Sequence, residues 1–149
     1  MIEAREYRKG DGAAIPVAEQ DPHDDWLEQM ETGMHGLTSY ERDGKLVAVS
    51  GYELMWQGVA WAFALVDREA CAGAGPDLVQ AVRKRTVELT QSDNLHRVQA
   101  CCNPADPATK VFLRAIGFRL EATMRKASPF GGDLLMMAMI RGVHYEQGS

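Results

Sequence analysis

The segment from Val59 to Val66, VAWAFALV, is almost wholly apolar. A strand covered on both faces has that composition, because side chains alternate between faces and neither face here suits water. The residues around it supply the rest of a sheet and its cover. Glu3 to Tyr7 reads as a short strand before a Lys-Gly-Asp-Gly turn. Ala13 to Gln20 reads as a weak helix that Pro16 must start or break. Asp21-Pro22, with Asp24 and Asp25 behind it, is a better helix start; Trp26, Leu27 and Met30 give the apolar face and Gly33 the stop. Leu37 to Arg42 and Lys45 to Leu54 are strands joined by Asp43-Gly44, a strong hairpin signal, and Gln57-Gly58 makes the next tight connection. Pro76 to Thr90 is a helix with Pro76 at its first position and Leu78, Val79, Val82 and Val87 facing inward, and His96 to Cys102 is the next strand.

The stretch from Asn103 to Lys126 is the most informative local pattern. Asp106 can cap a helix, and Pro107 suits its first position, where a missing N–H costs nothing. Val111, Phe112, Ala115 and Ile116 recur at helical spacing, and Gly117 is the expected stop. Phe118 to Lys126 and Asp133 to Ile140 form a last hairpin around residues 128–132. The order is strand, two helices, three antiparallel strands, helix, strand, helix, two strands. That order describes an α/β (α+β) domain with a mixed, mostly antiparallel sheet of about seven strands and about four helices. Residues 1–149 read as one domain, since the length suits a single full core and no repeat, low-complexity tract or linker interrupts it.

The net charge of −5 argues against general binding to nucleic acid or anionic membranes, which needs a basic face. Arg83, Lys84 and Arg85, and separately Arg125 and Lys126, are the local basic clusters. Cys71, Cys101 and Cys102 form neither a disulfide framework nor a metal pattern, and free cysteines suit the cytoplasm. The first residues contain no apolar run of the signal-peptide kind, and no segment approaches the length of a membrane span.

The order "Asn103, short helix carrying Ala108 and the aromatic Phe112, then Gly117-Phe118 and a strand" resembles the last conserved block of the GNAT superfamily of acyl-CoA N-acyltransferases. The element order resembles the GNAT fold over essentially the whole chain, and the residue motifs do so from about residue 59 to residue 126. The layout is more faintly similar to that of some phage-encoded members, including internal virion proteins. The resemblance implies acetyl-CoA as co-substrate. It implies a diphosphate site on the turn Gly73-Ala74-Gly75, where helix-start N–H groups and small residues admit an anion. Within that turn Ala70 replaces the usual Gln or Arg, Pro76 deletes a donor, and Asp77 brings a negative charge. It further implies pantetheine pairing with the backbone of Ala64, Leu65 and Val66, and with Asn103. Asn103 equally suits an Asx turn before Pro104. Lys110 and Arg114, one turn apart, either meet phosphate or form a solvated face.

Amide formation from a thioester needs a neutral amine, a stabilised carbonyl oxygen and a proton for the leaving sulfur. A Tyr on the last helix often gives that proton in the family; here Phe112 stands in the slot and has none. Ser128 is the candidate replacement and Glu53 the candidate base, with Glu41 and Asp67 behind it. His35, Tyr52, Trp56 and Trp61 are candidates for an acceptor pocket, although aromatic residues on apolar strands usually belong to a core. Cys101-Cys102 also invites an acyl-Cys reading, which needs a thiol of lowered pKa.

Three functions follow as expectations. The first is an N-acetyltransferase moving an acetyl group from acetyl-CoA to a primary amine of a small molecule or macromolecule. The second is a GNAT-like binding or virion protein without catalysis. The third is a phage acetyltransferase of amino-modified DNA bases, for which Arg5, Arg8, Arg125 and Lys126 would supply the basic groove. A homodimer is a further expectation: Met136, Met137 and Met139 on the last strand offer an apolar surface, although alternation makes at least one face core.

Overall fold

The computed structural model describes residues 1–16 and 24–141, with backbone alone at 24–26. The order is β1 (Ile2–Glu6), α1 (Asp11–Ala14), α2 (Asp24–Gly33), β2 (His35–Arg42), β3 (Lys45–Trp56), β4 (Val59–Val66), α3 (Gly75–Ser92), β5 (Arg97–Cys102), α4 (Pro107–Ile116), β6 (Arg119–Met124) and β7 (Leu134–Ile140). One seven-stranded sheet runs β1-β2-β3-β4-β5-β7-β6. All neighbours are antiparallel except β4 and β5.

Helices cover both faces, as the apolar β4 requires. Tyr40, Ala48, Tyr52, Ala60, Val98, Ala100 and Met137 pack under Leu78 and Val82 of α3 and Ile116 of α4. Val49 and Leu65 face the other way, against Ile15 and Leu27. A half-buried network pins α1 to the sheet edge. Asp11 accepts from Arg5 at 2.8 Å, from the Arg8 N–H at 2.8 Å and from Ser39 Oγ at 2.7 Å. Arg5 also meets Glu41 at 2.9 Å.

Several expectations need correcting. The first helix is only Asp11–Ala14, ending before Pro16, while residues 17–20 and the Asp21-Pro22 cap lie outside the described residues. Pro76 is the second helical residue, since α3 begins at Gly75. Val87 is 43% exposed and Val111 66% exposed. On α3 the inward line runs Leu78, Val82, Thr86, Leu89, and Val87 sits about 100° off it. On α4, Phe112, Leu113 and Ile116 take the inward face. Trp56 ends β3 in solvent at 64% exposure. β4 is covered on both faces only in part, because Ala64 is exposed. Met137 is wholly buried in an interior strand and Met139 packs against the same core, as alternation expects of one face, while Met136 is half-buried on the other.

Candidate active site

The exposure of Ala64 has a local cause. Gly58 sits in the β3–β4 turn at φ 81, and its carbonyl accepts the N–H groups of His96 (2.9 Å) and Arg97 (3.1 Å). A side chain at Gly58 would strike the His96 ring at Nδ1. This contact sets the start of β5 beside the start of β4. The parallel ladder then holds three pairs, Val59–Arg97, Ala60–Val98 and Trp61–Gln99, and stops. Past that point β4 stays paired with β3 and β5 with β7, so the two strands belong to separating halves of the sheet.

A cleft of about 940 Å³ opens between them. Its walls are β4 from Ala62 to Val66, β5 from Ala100 to Cys102, and the facing sides of α3 and α4. The lining is mainly apolar, with Ser50, Thr86, Thr90, Asn103 and Thr109 as scattered hydroxyl and amide groups. Its charged lining residues are Arg68 and Asp106. These two form an ion pair, and the Arg68 guanidinium also donates to Thr109 Oγ1 at 3.1 Å. Asp106 caps α4 through the Thr109 N–H and hydroxyl. The Arg68 hydrogen bond holds its carboxyl below the usual range, burial opposes this, and Thr109 adds to the lowering.

The turn from β4 to α3 lies at the outer end of the cleft. Asp67 accepts the Ala70 N–H at 3.1 Å. Arg42, from β2, donates to the carbonyls of Ala70 (3.0 Å) and Ala72 (2.9 Å). The carbonyl side of the turn is therefore tied down to the sheet. Gly73 follows at φ 77, in the left-handed region that favours glycine, and a Cβ there or at Gly75 would meet nothing within 4 Å. The Ala74 N–H is spent on the Cys71 carbonyl at 2.9 Å. Those of Gly75 and Asp77 precede the first helical bond, from Leu78 to Ala74, and Pro76 has none. The Asp77 carboxylate faces the Met1 ammonium at 3.7 Å.

The structure brings Leu65, Val66, Asn103 and Phe112 together along the cleft. Gly73, Ala74 and Gly75 lie beside it on the turn, and Lys110 and Arg114 are on α4 outside its lining. Asn103 makes the Asx turn, its side-chain oxygen accepting the Ala105 N–H at 2.9 Å. The two catalytic candidates do not reach the cleft. Glu53 is exposed on β3 just past the lining residue Tyr52, where the strand leaves the body of the protein and Leu54, Met55 and Trp56 are exposed as well. Ser128 is tied into the β6–β7 turn, where its hydroxyl accepts the Phe130 N–H at 3.2 Å. Of the aromatic candidates, Tyr52 borders the cleft and stacks on His35 with centroids 5.8 Å apart; Trp56 and Trp61 do not line it. Cys101 and Cys102 do line it, but burial, then the neighbouring thiol, pushes Cys101 up to about 11, and burial also raises Cys102. A thiol so shifted is protonated near neutrality and does not suit the acyl-Cys reading. Among the described residues no group of His, Cys, Asp and Glu is arranged to hold a metal ion, and no helix is long and apolar enough to cross a membrane.

No protein-family model and no curated protein matches this sequence. The fold is nevertheless found among solved structures. The ribosomal L7/L12 alpha-N-protein acetyltransferase in complex with coenzyme A is similar at a TM-score of 0.64 and 18% identity, over 76% of this chain and 66% of that one. This chain thus spans about two thirds of that enzyme's length. YncA from Salmonella typhimurium, solved with its cofactor acetyl-CoA, gives 0.70 and 16% over 97% and 96% of the two chains. A GNAT-family acetyltransferase from Streptococcus pneumoniae gives 0.71 and 12% over 95% and 100%. At such identities the likeness shows the fold, which is that of the GNAT acetyltransferases.

Proposed function

We propose that this chain is a GNAT-superfamily acyltransferase that uses acetyl-CoA as co-substrate and passes the acetyl group to a primary amine by direct attack. The observation that carries the reading is the cleft left where the β4–β5 ladder stops after three pairs. It is walled by strand backbone and apolar side chains, which suits a slender chain bearing amides. The same fold in neighbours solved with acetyl-CoA or coenzyme A supports it.

In this reading the backbone of Leu65 and Val66 pairs with the pantetheine amides as an added strand would. The turn Gly73-Ala74-Gly75 receives the diphosphate, with Gly75 and Asp77 offering N–H groups at the positive end of α3. Asn103 donates from its side-chain amide, Phe112 packs against the arm, and Lys110 and Arg114 add positive potential along α4. The bound thioester supplies an activated acyl carbon and a thiol leaving group. The chain's own share is positioning and exclusion of water, since Phe112 has no proton to give and Glu53 and Ser128 stand away from the cleft. Acetyl-CoA at about a hundredfold over its Kd stabilises a protein that binds it only when folded by about 2.7 kcal/mol. That corresponds to a rise in Tm of roughly 5–10 °C for a domain of this size. No shift at millimolar acetyl-CoA refutes the reading.

A second reading, a GNAT-like binding or virion domain without transfer, is favoured by Phe112 and by the donor lost at Pro76. A measurable transfer of acetyl to an amine, abolished by Gly73→Asp, refutes it.

A further inference from the structure

We propose that Arg68 and Asp106 form a charge-exchange latch across the mouth of the cleft, in which the diphosphate of the bound ligand takes the Arg68 guanidinium from the Asp106 carboxylate. The inference rests on the acyl-CoA reading and deepens it. Arg68 follows the end of β4, and Asp106 follows the end of β5. The two strands pair only at their other ends, at Val59–Arg97 through Trp61–Gln99. The ion pair thus ties the separated arms together where they are furthest from their shared ladder. Both residues line the cleft, so a ligand extending from it to the Gly73 turn passes beside them.

The two partners are held unequally. Asp106 is fixed by its role as the α4 cap, through the Thr109 N–H and hydroxyl, and its side chain is 33% exposed. Arg68 is 65% exposed on a long side chain. The movable member is therefore the cation. An exposed ion pair is weak, because water screens it and ordering the chains opposes it, and the hydrogen bond from Arg68 to Thr109 Oγ1 joins the same cluster on α4. A diphosphate carries more negative charge than one carboxylate and matches the planar guanidinium fork with two oxygens at once. Exchange leaves the Asp106 carboxylate behind at the mouth, anchored to α4, where it opposes the bound diphosphate. Asp106 thus weakens ligand binding twice, by engaging Arg68 beforehand and by repulsion afterwards, while balancing the charge at the mouth without ligand.

The test is calorimetric titration of coenzyme A, and of pantetheine, which lacks the diphosphate, into the wild type, Asp106→Asn, Arg68→Gln and the double variant. Asn also caps helices, so Asp106→Asn keeps one oxygen for the Thr109 N–H and removes the charge and the second acceptor. Asp106→Asn is expected to tighten coenzyme A several-fold and leave pantetheine unchanged. Arg68→Gln is expected to weaken coenzyme A alone, and in its background Asp106→Asn should bring back only a minor part of the gain. Unchanged or weaker coenzyme A binding in Asp106→Asn overturns the latch, as does an equal gain in the absence of Arg68. Failure of the folded wild type to bind coenzyme A is a different result: it overturns the acyl-CoA reading itself, and the latch with it.

Discussion

Asp11 is where the structure concentrates most electrostatic work outside the cleft. Its side chain is 13% exposed and takes hydrogen bonds from Arg5, the Arg8 N–H and Ser39. Burial by itself raises the carboxyl's pKa, but these donors and the Arg5 charge outweigh it and lower the value from 3.8 to about 2. A shift of that size corresponds to roughly 2 kcal/mol of folding free energy. Because the folded value lies below the unfolded one, the contribution is fully present above about pH 5 and is lost as the pH falls towards about 2. Asp11→Asn keeps the shape and one acceptor oxygen while removing the charge. It should cost roughly 2 kcal/mol at pH 7, equivalent to roughly 5 °C in Tm, and only about half as much at pH 3. Urea midpoints of both proteins at the two pH values measure this. An equal loss at both pH values would show that the network acts by packing rather than charge. A loss under about 0.5 kcal/mol at pH 7 would place it with ordinary surface pairs and refute the reasoning. The site has a stake in the result, since α1 leads directly into Ile15 of the core and Pro16 of the cleft lining.

Two further outcomes are expected. Met137 is wholly buried between β5 and β6, so Met137→Ala should cost about 2–5 kcal/mol in a urea titration, and a loss below about 1 kcal/mol would contradict that packing. Alkylation of Cys101 by iodoacetamide, followed by peptide mass analysis, should be slow near pH 7 and climb about tenfold per pH unit toward its pKa of about 11; a plateau near pH 8 would contradict the half-buried, protonated thiol.

The elements were legible wherever a local signal had a local cause. Asp106 and Pro107 start α4, and Gly117 ends it at φ 132 with its N–H on Leu113 and Arg114. Asp43-Gly44 turns β2 into β3 with both residues at positive φ. The inward faces were less legible, because Val87 and Val111 satisfy helical spacing as well as their buried neighbours do, and which stripe is buried depends on the docked orientation. Among the residues that line the cleft, Phe112 and Asn103 are marked by pattern in the sequence. Glu53 looks enclosed in a linear sequence because its neighbours are apolar, but the structure leaves it exposed with Leu54, Met55 and Trp56 at the open end of β3. Local sequence marks Asp106 only as a cap. Its Arg68 partner lies 38 residues away, and no spacing rule links the two.

The sequence by itself determined the local grammar of this protein: the caps, the glycine stops, the hairpin at Asp43-Gly44 and the apolar β4. These depend on backbone torsions and on side chains within a turn or two, which neighbours along the chain dictate. Only the tertiary structure decided that β5 touches β4 for three pairs and then departs with β7, and therefore that a cleft exists. That choice rests on the Gly58 carbonyl meeting His96 and Arg97, while Arg68 meeting Asp106 bridges the parted ends. Such contacts join residues remote in sequence, and their energy appears only when the sheet has brought them together.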